Sequence, residues 1–174
     1  MATTSRKNSR PFTMVRRSLW NSDRFSRLPD DGCRYLYLYF LTCPHQTSCG
    51  CFVLKEAYAL ADLALIGADW NAEKYRETKA AIADSGLILA DEATGEILIT
   101  RWWNDTSPSN ESWFAGARKQ CEAIHSAGLR AAALAALEAA WADFRGIPAG
   151  PRPTTLNPAD EKLRALANRM GNAA

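Results

Sequence analysis

The chain has 174 residues, 47% apolar and 10% aromatic, which is enough for one ordinary domain with extensions and too apolar for disorder throughout. No apolar run approaches the roughly 18–20 residues of a membrane span, and no apolar segment follows the basic N-terminus as a secretory signal requires. A cytoplasmic location is therefore expected, and five cysteines, an odd number, fit a reducing compartment better than a disulfide framework.

The net charge is only +2, but it is unevenly spread. Residues 1–27 hold seven basic side chains against Asp23 alone, residues 28–101 hold six basic and eleven acidic, and the remainder eight and seven. The basic charge is thus a leading arm rather than a property of the core. Around Arg6, Lys7 and Arg10 the chain is polar and poor in apolar residues, so it is expected to be unstructured alone. Such an arm either wraps phosphates or enters a minor groove, or it is simply a solubilising tail. Phe12 to Phe25 is expected to be irregular, with Phe12, Val15, Leu19 and Trp20 pinning it and holding Arg16 and Arg17 near the body.

Leu28-Pro29-Asp30-Asp31 marks a helix start, and the pattern runs to Leu41 before Cys43-Pro44 stops it. Its run from Cys33 is apolar almost all round, as in a central buried helix, with the tyrosines as packing residues. Gly50-Cys51-Phe52-Val53 is a short apolar strand. Lys55 to Leu65 follows as an amphipathic helix, packing through Tyr58, Ala61, Leu65 and the neighbouring leucines. Gly67 supplies a tight turn, and Asp69 is expected to cap the next helix, Trp70 to Asp84. That helix packs through Ala72, Tyr75, Thr78 and Ile82, leaving Asn71, Lys74, Arg76 and Lys79 outward, and Ser85-Gly86 ends it. Leu87–Ala90 and Glu96–Arg101 form a hairpin around a turn at Asp91–Gly95, the second strand half-buried by alternation.

The order helix, strand, helix, turn, helix, hairpin is that of a winged helix, a helix-turn-helix of three helices with a β-hairpin wing. The expected class is mainly α, with additional C-terminal helices. The divisions are a basic arm (1–27), a winged-helix domain (28–103), a helical extension (109–145), a Pro/Gly linker (146–158) and a short helix (159–174). In the extension one helix runs from about Glu111 through Ser126, and Gly128 breaks or bends the path into Leu129–Phe144. There Leu134, Leu137, Trp141 and Phe144 make a stripe that the same chain or a second copy must cover, so a homodimer through 129–144 is one expectation.

For function, this order points to DNA. Arg6, Lys7, Arg10, Arg16 and Arg17 are expected on phosphates, and Asn71, Lys74, Arg76 and Lys79 in or beside the major groove. The turn from Asp91 to Glu96 is acidic and is not expected to clamp phosphate. The third helix also carries Glu73, Glu77 and Asp84, so its near-neutral face needs help from the arm. No enzyme is expected: the chain has no Gly-x-Ser-x-Gly, no phosphate-binding glycine loop and no His-Glu-x-x-His. Cys43, His45, Cys49 and Cys51 are ligand types for zinc, but their spacing lacks the usual paired cysteines. No metal or cofactor is expected, and buried cysteines acting as small apolar fillers account for them.

Leu36–His45, Gly50–Leu54, Gly86–Ile88 and Ile97–Trp102 carry a resemblance to phage and prophage replication-initiator (replisome-organiser) proteins. It spans about residues 10–120 and rests on core and turn residues, so it speaks to fold more than to function. The resemblance implies a winged helix, origin or single-strand DNA binding, and partnership with host or phage replication proteins. This chain is short, and its alanine-rich tail does not match a helicase-loading domain. Two other roles fit the same architecture: a protein-binding module docking on a host protein, and a transcriptional repressor.

Overall fold

Asp30 sets the start of the first long helix. Its carboxylate accepts a bond from the Cys33 N–H at 2.7 Å, supplying a partner to one of the free donors of α2 (Asp31–Thr42). This geometry comes from a computed structural model that describes residues 13, 15–65, 69–106 and 108–146. The arm residues Arg6, Lys7 and Arg10, the Gly67 turn, the linker beyond Gly146 and the 159–174 helix lie outside the described residues.

Ahead of α2, the segment expected to be irregular forms a 3-10 turn (Arg17–Asn21) and a single α turn, α1 (Asp23–Ser26). Phe25 is the buried anchor, its ring 6.0 Å from Tyr37 and 5.5 Å from Trp20. Trp20 was expected to pin this segment but is 65% exposed, and Val15 is exposed too.

In α2, Cys33, Leu36, Tyr37, Phe40 and Leu41 are buried, spaced as one helical face. Tyr39 is half-buried and donates its hydroxyl to Asp62 at 2.7 Å, tying α2 to α3 (Glu56–Ala64). Helix α3 buries Ala59 and Leu63, one of the neighbouring leucines expected to pack, whereas Tyr58, Ala61 and Leu65 face solvent. The next helix, α4 (Ala72–Asp84), buries Tyr75, Thr78 and Ile82 as expected, but its cap is Asn71 and not Asp69.

Strands β1 (Cys51–Val53), β2 (Ile88–Asp91) and β3 (Glu96–Ile99) form an antiparallel sheet of order β1-β3-β2. Phe52 faces Ile97, and Leu89 faces Leu98. All four residues of β3 are buried, not alternate ones. The cause is a second cover: α7 (Ala127–Phe144) lies against β2 and β3 on top of the cover that α4 gives β2. Two more helices lead there, α5 (Trp102–Asp105), which was not expected, and α6 (Glu111–Glu122). The break between α6 and α7 falls at Ala123–Ser126, with Gly128 inside α7. Leu129, Ala133 and Leu137 of α7 join the one core cluster that also holds Phe25, Phe40 and Ile82; of the expected stripe the same chain buries Leu137 and partly covers Leu134 and Trp141. Phe144, at its end, is half exposed and stacks on Trp141 at 5.3 Å.

Among the described residues no helix is long and apolar enough to cross a membrane.

Candidate nucleic-acid interface

Helix α4 begins where Asn71, in extended conformation, accepts a bond from the Lys74 N–H at 2.9 Å. The Asn71 side chain is therefore an N-cap, a role worth about 1 kcal/mol to the helix. Lys74 projects into solvent; its ammonium sits 5.2 Å from the centre of the Trp70 ring and donates to the Asp69 carbonyl at 3.4 Å. The two other cations of this helix are held by carboxylates. Arg76 makes a bidentate pair with Glu56 at 2.7 and 2.8 Å, reaching across to α3. The Glu56 bond raises the Arg76 guanidinium above its ordinary value. Lys79 pairs with Glu92 of the hairpin turn at 2.7 Å and lies 5.8 Å from the centre of the Tyr75 ring. These pairs flank a shallow groove of about 210 Å³ lined also by Ala80, Ala83 and Ala90.

The outward face of α4 is thus close to electrically balanced. Glu73, Glu77 and Asp84 are exposed on it, and among the described residues only Lys74 of its three cations lacks a carboxylate partner. The four α4 residues proposed for a groove are close in space, but two of them are already neutralised. Sequence spacing showed the cations and could not show Glu56 and Glu92, which approach only through the fold.

The hairpin turn is no free wing tip. Glu96, read as part of an exposed acidic turn, is 4% exposed. Its carboxylate accepts bonds from the His125 N–H at 2.8 Å and the Ser126 N–H at 2.7 Å. Burial pushes the Glu96 carboxyl up, but the bonds from His125 and Ser126 outweigh it and leave its pKa lowered. Asp91 is lowered too, first by a side-chain bond with Ser126, and it holds its own turn through the Ala93 and Thr94 N–H groups. The turn is fastened to the start of α7.

In the segment up to Arg27, before α2, positive charge predominates, with Asp23 its one carboxylate. Arg16 and Arg17 are exposed at the 3-10 turn, and Arg27 is exposed at the end of α1. Arg24 donates to the Gly86 carbonyl and to Thr100 Oγ1 at 3.0 Å, bridging α1 to the hairpin. Burial lowers the Arg24 guanidinium, and the nearby Arg101 lowers it further. Arg101 is exposed and sits in a left-handed conformation at φ 57°. Arg24 and Arg27 show in the sequence as part of the basic arm, but that Arg24 is tied to the hairpin beside Arg101 shows only in the fold.

The cysteine–histidine group is dispersed. Cys43, Cys49 and Cys51 are buried, and the His45 ring stacks on Tyr58 at 5.6 Å. Cys49 is hydrogen-bonded to Cys121 of α6, a bond that pulls its thiol below the ordinary value, and it also contacts Thr47 Oγ1 at 3.2 Å. Among the described residues no three His, Cys, Asp or Glu side chains are grouped to hold a metal ion.

No family model matches the chain, and no curated protein or solved structure matches it either.

Proposed function

We propose that this is a winged-helix DNA-binding protein of the phage replication-initiator kind, non-enzymatic, acting in replication initiation in the cytoplasm. The observation that carries the proposal is the element order α2, β1, α3, α4, β2, β3, with β1 added to β3 as the third strand. In a winged helix that order leaves the last helix open on the side away from the sheet, and Lys74, Arg76 and Glu77 are exposed there. The residues that carry the family resemblance also hold the fold: Leu36 and Phe40 are fully buried, and Gly50 adopts a positive φ. Lys74 and the basic leader would supply phosphate contacts, with host or phage replication proteins as partners. A homodimer through 129–144 keeps only the Phe144 end of the stripe in its support.

A second reading has its own observation. The Arg76–Glu56 and Lys79–Glu92 pairs cancel cations where a DNA-reading helix needs them, and this favours a module that docks on protein.

The double variant Glu56→Gln/Glu92→Gln separates the two. It frees Arg76 and Lys79 and removes two negative charges from the α4 face. Each new phosphate contact releases counterions, so duplex affinity at 0.1 M salt is expected to rise about tenfold or more by fluorescence anisotropy. If neither the natural chain nor the variant retains duplex or single-stranded DNA, the protein-docking reading stands in its place.

A further inference from the structure

We infer that single-stranded nucleic acid docks on the face built by the 3-10 turn and α1, with Trp20 as a stacking platform, Arg17 one turn away on the same face, and Arg24, Arg27 and Arg101 as further cations of this segment and of the hairpin end it is tied to. The inference rests on the nucleic-acid reading above and moves the main contact away from α4.

Trp20 is the largest side chain of this segment and is 65% exposed. Its plane stands at 85° to the buried Phe25 ring, 5.5 Å away, so the indole is held in place from one side only. An exposed indole with a fixed base loses little conformational freedom when a base stacks on it, and every base offers a π-face. A 3-10 helix has three residues per turn, so Arg17 eclipses Trp20 on the same face. A phosphate flanking a stacked base would meet that guanidinium. Arg24 and Arg101 add a second concentration of positive charge: two guanidinium groups near each other, one of them anchored to Gly86 and Thr100. Between residues 15 and 27 there are four arginines and one carboxylate, Asp23, and the basic leader runs directly into this face in sequence.

A protein partner fits the surface less well. Among the described residues of the segment Val15 is the only other exposed large apolar side chain, and a protein hot spot needs an apolar surround that excludes water. A duplex hides its base faces, so it would leave Trp20 unused.

The test uses the full chain and three labelled probes: a 20-nucleotide oligo-dT, the matching oligo-rU and a 20-base-pair duplex. Trp20→Ala is expected to weaken single-strand binding about tenfold or more while changing duplex binding less than about twofold. Trp20→Phe, which keeps an aromatic face, is expected to retain most of the affinity. Arg17→Ala/Arg27→Ala is expected to lower the log–log salt slope for oligo-dT by about 1.4, two contacts at about 0.7 each. The unfolding midpoint of Trp20→Ala is expected to match that of the natural chain, since the ring is mostly outside the core. An equal loss of oligo-dT and duplex binding in Trp20→Ala, or no loss of oligo-dT binding, overturns the inference. Duplex binding without any single-strand binding overturns it too and leaves the winged-helix proposal standing. Failure of all three probes overturns both. Oligo-dT and oligo-rU binding compared then says whether the strand is DNA or either nucleic acid.

Discussion

Gly50→Ala is expected to lower the unfolding free energy by about 3 kcal/mol, the sum of two effects at one position. Gly50 has φ 74°, a left-handed conformation that costs an L side chain roughly 1–2 kcal/mol. A Cβ there would also lie 2.6 Å from Trp102 Cδ2 and 2.8 Å from Trp102 Cβ. Trp102 has little room to retreat. Its Nε1 donates to the Ser48 carbonyl at 2.8 Å, and it follows the left-handed Arg101. Overpacking of this kind adds typically 1–3 kcal/mol. The Gly50 carbonyl also accepts the Ile99 N–H at 2.9 Å, so a shift of Gly50 disturbs the β1–β3 pairing. Gly95 is the internal control. It has nearly the same φ, 69°, but a Cβ there would meet only Val53 Cγ1 at 3.9 Å. Gly95→Ala is therefore expected to cost about 1 kcal/mol, from the backbone alone. Urea unfolding of the two variants side by side checks this; equal losses would show that Trp102 yields and that the close approach does not matter.

Glu96→Gln is expected to cost about 2–3 kcal/mol at neutral pH. The buried carboxylate accepts two backbone N–H bonds at the start of α7, and bonds to a charged acceptor are worth about 1.5–3 kcal/mol. A glutamine can accept one of them, but its amide nitrogen then faces the other donor. The pH dependence has a definite sign. The folded pKa of Glu96 lies below its ordinary 4.5, so the stabilisation is complete above about 4.5 and is lost as pH falls through the folded value. The difference between the natural chain and Glu96→Gln should therefore shrink as pH falls below about 4. A difference that stays constant into acid would mean that the charge of Glu96 contributes nothing. The variant should also loosen α7 from the hairpin, because Glu96 joins β3 to Ser126 over 30 positions of sequence.

Local signals made several elements readable in advance. Asp30, Pro29 and the stop at Cys43-Pro44 bracket α2, Gly86 ends α4, and Gly95 closes the hairpin turn. The element order followed from these. Helix α3 was misread because almost every position from Ala57 to Leu65 is apolar, so periodicity does not pick a face. Strand β3 looked half-buried because nothing within 96–99 announces that α7, some 30 residues later, will cover its second side. Helix α5 is only four residues long, shorter than any pattern. The candidate site was legible as composition and not as arrangement. Arg76 and Lys79 stand out as outward cations of a helix, but their partners lie 20 and 13 positions away, on α3 and on the hairpin turn. Trp20 was read as a packing residue because large aromatics usually are, and only the fold leaves it in solvent.

Docking on nucleic acid is decided by the affinity of the full chain for a duplex and for oligo-dT, each measured from about 50 to 200 mM salt. About four phosphate contacts give a log–log slope near −3.6, a fall of roughly a hundredfold over that range. Binding of neither the duplex nor oligo-dT, or binding that does not change with salt, would mean that the chain does not dock on nucleic acid through its phosphates.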